Sequence, residues 1–307
     1  MNSKYRQTGI RDNLILRARI VQAIREFFVA NGYLEIETPI RIPAPAPERH
    51  IDAEPCGDWY LHTSPELCMK QLLAAGYEHI FQICKCFRRK ERGHKHLPEM
   101  TLLEWYTAGA DYSHMMTQCE ALIRHLAFQE RRGHTLSYQG LTIDLQRPWP
   151  RLTVAEAFDR FGSLPVAEAL EANRFDEIMA LEIEPRLGIR HPVFLYDYPV
   201  ACGALARLKA GHSEWAERFE LYIGGLELCN GFSELTDPQE QRQRFKGEMA
   251  DRKAAQQRVY PMPERFLDAL ADMPASAGNA LGVDRLVMLW ADTAKIDEVV
   301  AFCPEEL

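Results

Sequence analysis

Glu220-Leu221-Tyr222-Ile223-Gly224-Gly225-Leu226-Glu227 sets a carboxylate on either side of a Gly-Gly pair. The two glycines between apolar runs read as a two-residue hairpin loop, so that Ile223 pairs with Leu226 and Tyr222 with Glu227. Strand side chains alternate, which puts Glu220, Tyr222 and Glu227 on one face. Glu220 and Glu227 become diagonal cross-strand neighbours, roughly 7–8 Å apart. Like charges so placed repel, and a buried pair needs compensation. A divalent cation carrying phosphate oxygens supplies it, because Mg²⁺ favours one or two carboxylates plus substrate phosphates. Two solvated glutamates on an open hairpin need no such partner. Glu220 and Glu227 are therefore candidate metal ligands.

Outward from the hairpin, Val193–Tyr198 reads as a strand and residues 150–190 as mostly helical. Asp237-Pro238-Gln239-Glu240 offers an N-cap, a proline and an acid for a polar helix to about Gln257. A last helix begins near Asp284 and carries Leu286, Val287, Leu289 and Trp290. Nearer the N-terminus, Asp12 caps a helix striped with Leu14, Ile20, Ile24, Phe27 and Phe28, which Asn31-Gly32 stops. Tyr33–Pro39 follows as a short strand, and residues 42–58, with four prolines, read as an irregular loop. Ser64-Pro65-Glu66 starts a second helix, with serine at the cap and proline in the first turn. His79–Phe87 and Glu99–Tyr106 read as strands separated by a charged loop of about ten residues. Residues 112–131 form an amphipathic helix whose Met115, Met116 and Leu122 belong to a core. Strands adjacent in sequence with helices between them predict an α+β fold, a mainly antiparallel sheet flanked by helices.

At 307 residues and 47% hydrophobic, the chain can form one large domain or two small ones. A net charge of −8 argues against strong nonspecific nucleic-acid binding, which rests on neutralising phosphates. The eight cysteines show no paired spacing suited to zinc, and without a secretory leader they read as reduced, packed thiols of a cytoplasmic protein. No apolar run approaches the 18 residues of a membrane span, and Met1–Gln7 lacks a signal-peptide core, so no membrane partner is expected.

Two further clusters carry chemistry. Phe87-Arg88-Arg89-Lys90-Glu91-Arg92 ends a strand in a cationic loop, and the returning strand puts Glu104 and Tyr106 on one face. An arginine beside an acid and a phenol suits a zwitterion, guanidinium to carboxylate and glutamate to ammonium. In Ala280-Leu281-Gly282-Val283-Asp284-Arg285, a glycine that admits a planar ligand is followed by a helix start and an arginine, both favourable to phosphate.

In order along the chain these clusters resemble the three motifs of a class II aminoacyl-tRNA synthetase catalytic core. Tyr33–Pro39 is similar to motif 1, Phe87–Glu91 with its returning strand to motif 2, and Gly282–Arg285 to motif 3. Thr63-Ser64-Pro65-Glu66, Thr101–Tyr106 and Glu227–Asp237 point to the lysine branch. The resemblance covers roughly residues 12–305, and it implies a single class II catalytic domain over 1–307. The resemblance begins at the catalytic core, and no N-terminal OB-fold is expected. The closer resemblance is therefore to the elongation factor P–(R)-β-lysine ligases, in keeping with Ala280 and with Trp105 in Glu-Trp-Tyr.

That resemblance implies ATP and Mg²⁺, lysine or β-lysine as substrate, elongation factor P rather than tRNA as acceptor, and a homodimer built on motif 1. It gives Arg88 the substrate carboxylate and the ATP α-phosphate, Arg285 the γ-phosphate, and Glu220 and Glu227 the metal. Glu234 and Tyr106 take the terminal ammonium. Ser64, Pro65, Glu66 and Glu104 line the site of the other amino group, and Asn230 meets the carboxylate. Lys90, Glu227, Leu228 and Gly282 join the ATP contacts, with Gly282 against the adenine. Two positions depart from the family pattern: Lys90 stands where a glutamate meets the adenine, with Glu91 next along, and Leu97 replaces an asparagine. Two other readings remain, an enzyme activating α-lysine or another amino acid for tRNA or a carrier protein, and a non-catalytic regulatory paralogue.

Overall fold

The computed structural model describes residues 5–146, 148–203 and 205–307. Residues 1–4, part of the segment read as lacking a signal-peptide core, lie outside them. Among the described residues a nine-stranded sheet begins with Leu34–Glu35, His79–Phe87, Glu99–Ala108 and Ser276–Gly282. It continues through Leu226–Ser233, His212–Ile223, Val193–Pro199 and Arg151–Thr153, with Leu208–Lys209 added beside His212–Ile223. The outermost pairing at each edge is parallel, and those between are antiparallel. This is the α+β architecture the sequence predicts.

Alternation along Glu99–Ala108 separates the two layers. Leu103 and Trp105 enter a core with Ile20, Ile24 and Phe28 of helix Arg11–Ala30, Leu122 and Ile123 of helix Tyr112–Gln129, and Leu286 of helix Val283–Trp290. Each such side chain, once fully buried, contributes about 1.5–3 kcal/mol. Tyr106 faces the other way, onto Leu67 and Leu73 of helix Glu66–Ala74 and Phe266 of helix Glu264–Leu270. The helices thus cover one face fully and both ends of the other, the second end through Val154–Phe161 packed near Leu195 and Tyr222, which leaves the middle of that face for the site. Among the described residues no helix is long and apolar enough to cross a membrane.

Some local expectations change. Asp12 lies in the first turn of its helix and Ile10 is the N-cap, although an acid there still suits the helix dipole. Of Tyr33–Pro39 only Leu34–Glu35 pairs, and Ile36 adds one further bond to Phe81 before the chain turns off towards Pro39. Residues 42–58 are not wholly irregular, because Arg41–Ile42, Pro55–Cys56 and Trp59–Leu61 form a small sheet. Asp237 caps its helix as expected, accepting from the amides of Gln239 and Glu240.

Candidate active site

Gly224 and Gly225 both have positive φ, 63° and 72°, as a tight hairpin turn requires, and Ile223 pairs with Leu226 and Tyr222 with Glu227. One step further the register slips, since Leu221 pairs with Cys229 and Glu220 with Asn230. Leu228 is the extra residue of a β-bulge. Strict alternation would send Glu227 and Asn230 to opposite faces, and the bulge returns both to the same one. Glu220 and Glu227 are therefore not diagonal neighbours on an unbroken ladder, as expected from the sequence. Leu228 is 2% exposed, its side chain in the helix-side core, so an ATP contact there would be made by its backbone.

Directly paired residues share a face, and the ladder carries that face across five strands. Gln82 opposes Glu104, Glu104 opposes Ala280, Ala280 opposes Asn230, and Asn230 opposes Glu220. Tyr106, Gly278, Phe232 and Arg218 form a parallel row beside them. The sheet thus gathers Glu104, Tyr106, Asn230, Glu220 and Glu227 into one site.

At its acidic end, Glu104 accepts from Ser64 Oγ at 2.6 Å and from the Tyr106 hydroxyl at 3.1 Å. Burial, reinforced by the nearby Glu66 charge, pushes its carboxyl up to about 8. Ser64 Oγ also accepts from the Glu66 amide at 3.0 Å, while Pro65 rather than Ser64 occupies the N-cap position. Lys70, one turn further along, is 1% exposed and bridges Glu66 at 2.6 Å and Glu234 at 2.5 Å. Burial alone would discharge this lysine, but Glu234 and Glu66 together outweigh it and hold the ammonium charged. Glu234 Oε1 and Gln82 Oε1 are buried acceptors without a hydrogen-bond partner. Both suit an incoming ammonium. Gly278 makes the approach possible: a Cβ there would lie 2.2 Å from Tyr106 and 2.6 Å from Glu234. Beside this end a space of only ≈ 10 Å³ remains among Ile42, Pro45, Glu48, Ser64, Glu66 and Leu67. Glu48 is pushed up to about 7 there by burial and by Glu66.

At the arginine end, Glu220 accepts from the hydroxyls of Tyr198 and Tyr222 and from Arg218, each at 2.6 Å. Arg218 also donates to Asn230 Oδ1 at 2.9 Å, so the two expected ligand contacts are held by one guanidinium. Arg285 donates to the Glu227 carbonyl and carboxylate at 2.9 and 3.1 Å and reaches His96 at 2.6 Å. Arg88 Nε is buried without a partner, which fits a guanidinium waiting for an anion. Glu184 completes this end: burial and the charges of Glu220 and Glu227 push it up to about 7. The three carboxylates repel one another, and in this structure Glu220 is neutralised by Arg218 and Glu227 by Arg285.

The loop after Arg88 answers the two departures. Lys90 turns out with φ 67° and lies 3.7 Å from Asp52, whereas Glu91 stays beside Arg88 at 3.9 Å. Leu97 is buried in the helix-side core. Gly282 is the N-cap of its helix, and a Cβ there would meet nothing closer than 3.9 Å, so the fold itself leaves open space above it. Asp284 anchors that helix, accepting from the Thr101 amide at 2.7 Å and pairing with Arg17 at 2.6 Å.

Sequence reasoning missed Lys70, Gln82, Arg218 and Glu184. Lys70 had a signal, its i,i+4 spacing from Glu66. Arg218 had one too, two residues before Glu220 on a strand. Gln82 needed the strand register and Glu184 the tertiary fold.

The family described as tRNA synthetases class II (D, K and N) matches residues 3–306. The chain is 39% identical over 321 residues to the lysine–tRNA ligase of Moorella thermoacetica, covering 95% of this chain and 65% of that one. It is 39% identical over 308 residues to the elongation factor P–(R)-β-lysine ligase of Erwinia tasmaniensis, covering 94% of each. With the ligase of Vibrio atlanticus it shares 36% identity over 320 residues and 98% of each chain. It therefore spans just under two thirds of the Moorella tRNA ligase and nearly the full length of the two elongation factor P ligases.

Proposed function

This chain belongs to the class II tRNA synthetases of the D, K and N group, alongside the elongation factor P–(R)-β-lysine ligases, and we propose that it activates (R)-β-lysine with ATP and transfers it to a lysine side chain of elongation factor P. The carrying observation is a single sheet face with a buried acidic end and an arginine end. The first suits the amino groups of a lysine-like substrate and the second suits triphosphate. Similarity over nearly the full length of the elongation factor P ligases supports this acceptor over tRNA.

In this reading the substrate carboxylate lies against Arg88 and Asn230. Its oxygen attacks the α-phosphorus, pyrophosphate leaves, and the acceptor amine then attacks the acyl carbon and releases AMP. Arg88 stabilises charge at the α-phosphate, and Arg285 holds the γ-phosphate in line to leave. Glu220 and Glu227, with Glu184, would hold Mg²⁺, which when bound neutralises the phosphates. Glu234, with Gln82, receives the terminal ammonium, and Tyr106 orients Glu104. Ser64, Glu66 and Glu104 take the other amino group, with Pro65 fixing the turn that presents them. Gly282 leaves room for the adenine, which Glu91 rather than Lys90 would meet. Positioning and electrostatics do the work, without a protein nucleophile. The Tyr33–Pro39 region would form the interface of a homodimer, and the cytoplasm is the proposed location.

The test is ATP–pyrophosphate exchange with (R)-β-lysine and α-lysine in parallel, followed by elongation factor P and tRNA as acceptors. Exchange with β-lysine and label on the protein supports the reading. Exchange with α-lysine alone and label on tRNA overturns it in favour of a reduced synthetase. A folded chain without exchange for any amino acid makes it a non-catalytic paralogue.

A further inference from the structure

Three donors beside the site have no part in the chemistry above. Cys84 and Cys86 are two residues apart on the strand His79–Phe87, so their thiols share a face, with the sulfurs 3.8 Å apart. His62, fully buried, arrives from the segment that leads into Ser64. Its Nε2 lies 3.8 Å from Cys86 Sγ and 2.7 Å from the Lys85 carbonyl, while Nδ1 is buried without any partner. A ring nitrogen of His62 and both sulfurs fall within 4.8 Å of one another. The sequence hides this cluster, because the third donor comes from a separate segment.

The spacing has a definite chemical meaning. In a tetrahedral zinc site, Zn–S distances of about 2.3 Å and Zn–N distances of about 2.0–2.1 Å put two sulfurs about 3.8 Å apart and sulfur and nitrogen about 3.6 Å apart. The sulfur pair already stands at that separation, and the sulfur–nitrogen gap exceeds it by about 0.2 Å. Two thiolates and an imidazole are a soft donor set, suited to zinc and not to magnesium or calcium. Nε2 would exchange its contact with the Lys85 carbonyl for the metal, since one ring nitrogen cannot donate to a carbonyl and ligate zinc at once. Cys84 is only half-buried, which gives an ion access from the site face.

We propose that His62, Cys84 and Cys86 form a zinc site with its fourth position open to water. Binding releases the two thiol protons to solvent and forms two Zn–S bonds and one Zn–N bond, without change of oxidation state. The ion ties the segment bearing Ser64 and Glu66 to the strand bearing Gln82, the strand that ends at Arg88. It is a clamp between the two walls of the amino-acid pocket, separate from the oxygen-donor site at Glu220 and Glu227.

The test uses the full chain, reduced and stripped of metal with a chelator, and titrated with Co²⁺. The expected result is one equivalent bound, with near-ultraviolet thiolate-to-cobalt charge-transfer bands that Zn²⁺ displaces. Cys84→Ser should weaken binding by about tenfold or more, and Cys56→Ser, at a thiol outside the cluster, should leave it unchanged. Zn²⁺ should raise the melting temperature of the unmodified chain and not that of Cys84→Ser. X-ray absorption on the zinc-loaded unmodified chain needs no variant, and it should show sulfur at about 2.3 Å. A metal shell without sulfur, or charge-transfer bands untouched by Cys84→Ser, would overturn the proposal.

Discussion

At the acidic end of the site face, Lys70 and Glu234 have side chains 1% and 0% exposed, and they bond to one another. At the arginine end, Arg88, Arg285 and Glu227 have side chains 28%, 19% and 36% exposed, and they lean on loop residues. Charges in the dry end interact strongly and have few alternative partners, so that end is fixed before a ligand arrives. At the arginine end the Arg218–Glu220 pair is buried and fixed, but the charges of Arg88, Arg285 and Glu227 are more screened and adaptable, and they gain most when a strongly charged ligand excludes the water. On the proposed function the first end discriminates and the second stabilises developing charge.

The sharpest way to separate the ends is to remove one cation from each. Arg88→Ala should lower ATP–pyrophosphate exchange by about 10³-fold with little change in melting temperature, because its buried Nε has no partner to abandon in the free chain. Equal loss of stability and activity would show that Arg88 is structural. Lys70→Met should do the reverse. It leaves Glu66 and Glu234 buried without their counter-ion and should cost about 3–5 kcal/mol of stability by denaturant titration. Unchanged stability in Lys70→Met would mean that the acidic end is not preformed.

The same contrast explains how much was legible in the sequence. The hairpin, the two long strands and the cap at Asp237 rest on local spacing, whereas the caps expected at Asp12 and Ser64 fall on Ile10 and Pro65. The site residues on regular strands, Glu104, Tyr106 and Glu220, followed from alternation alone. Asn230 did not, because the bulge at Leu228 breaks alternation without a sequence mark of its own. Lys70 and Gln82 answer charges brought from elsewhere in the fold, and Glu184 faces the hairpin from an irregular helical segment. His62 and the Cys84–Cys86 pair needed two segments to meet. What escaped the sequence is mostly what depends on contact between distant segments.

Acid titration gives a smaller, graded test of the acidic end. Burial and then Glu66 raise Glu104 to about 8 in the free chain, and an ammonium binds it only when it is ionised. Below that value each unit of acidification should raise KM for the amino acid up to about tenfold, and above it KM should level off. The sign for stability follows from the same shift. A carboxyl raised from 4.5 to about 8 on folding favours the fold at low pH, and that contribution is lost as pH rises through about 8. Glu234, Glu48 and Glu184 are raised into the same range. Glu104→Gln should therefore reduce both dependences without abolishing them, and a KM profile identical to that of the unmodified enzyme would assign the titration elsewhere.

The smallest change tests the floor between the two ends. Ala280 pairs with Glu104 on one side and Asn230 on the other, so its methyl lies between the residues proposed to take the amino group and the carboxylate of the substrate. α-Lysine and β-lysine differ in the distance between those two groups, and a methyl between their partners reads that distance by steric exclusion. Ala280→Gly removes the methyl without touching either polar partner. A single methyl in a pocket is worth about 1–3 kcal/mol of discrimination, with partial relaxation bringing the effect to the low end. The expected outcome is a shift of about five- to tenfold in relative kcat/KM from β-lysine towards α-lysine, with exchange still dependent on Arg88. A variant with unchanged preference would move the determinant away from the floor, to the wall formed by Ser64 and Glu66.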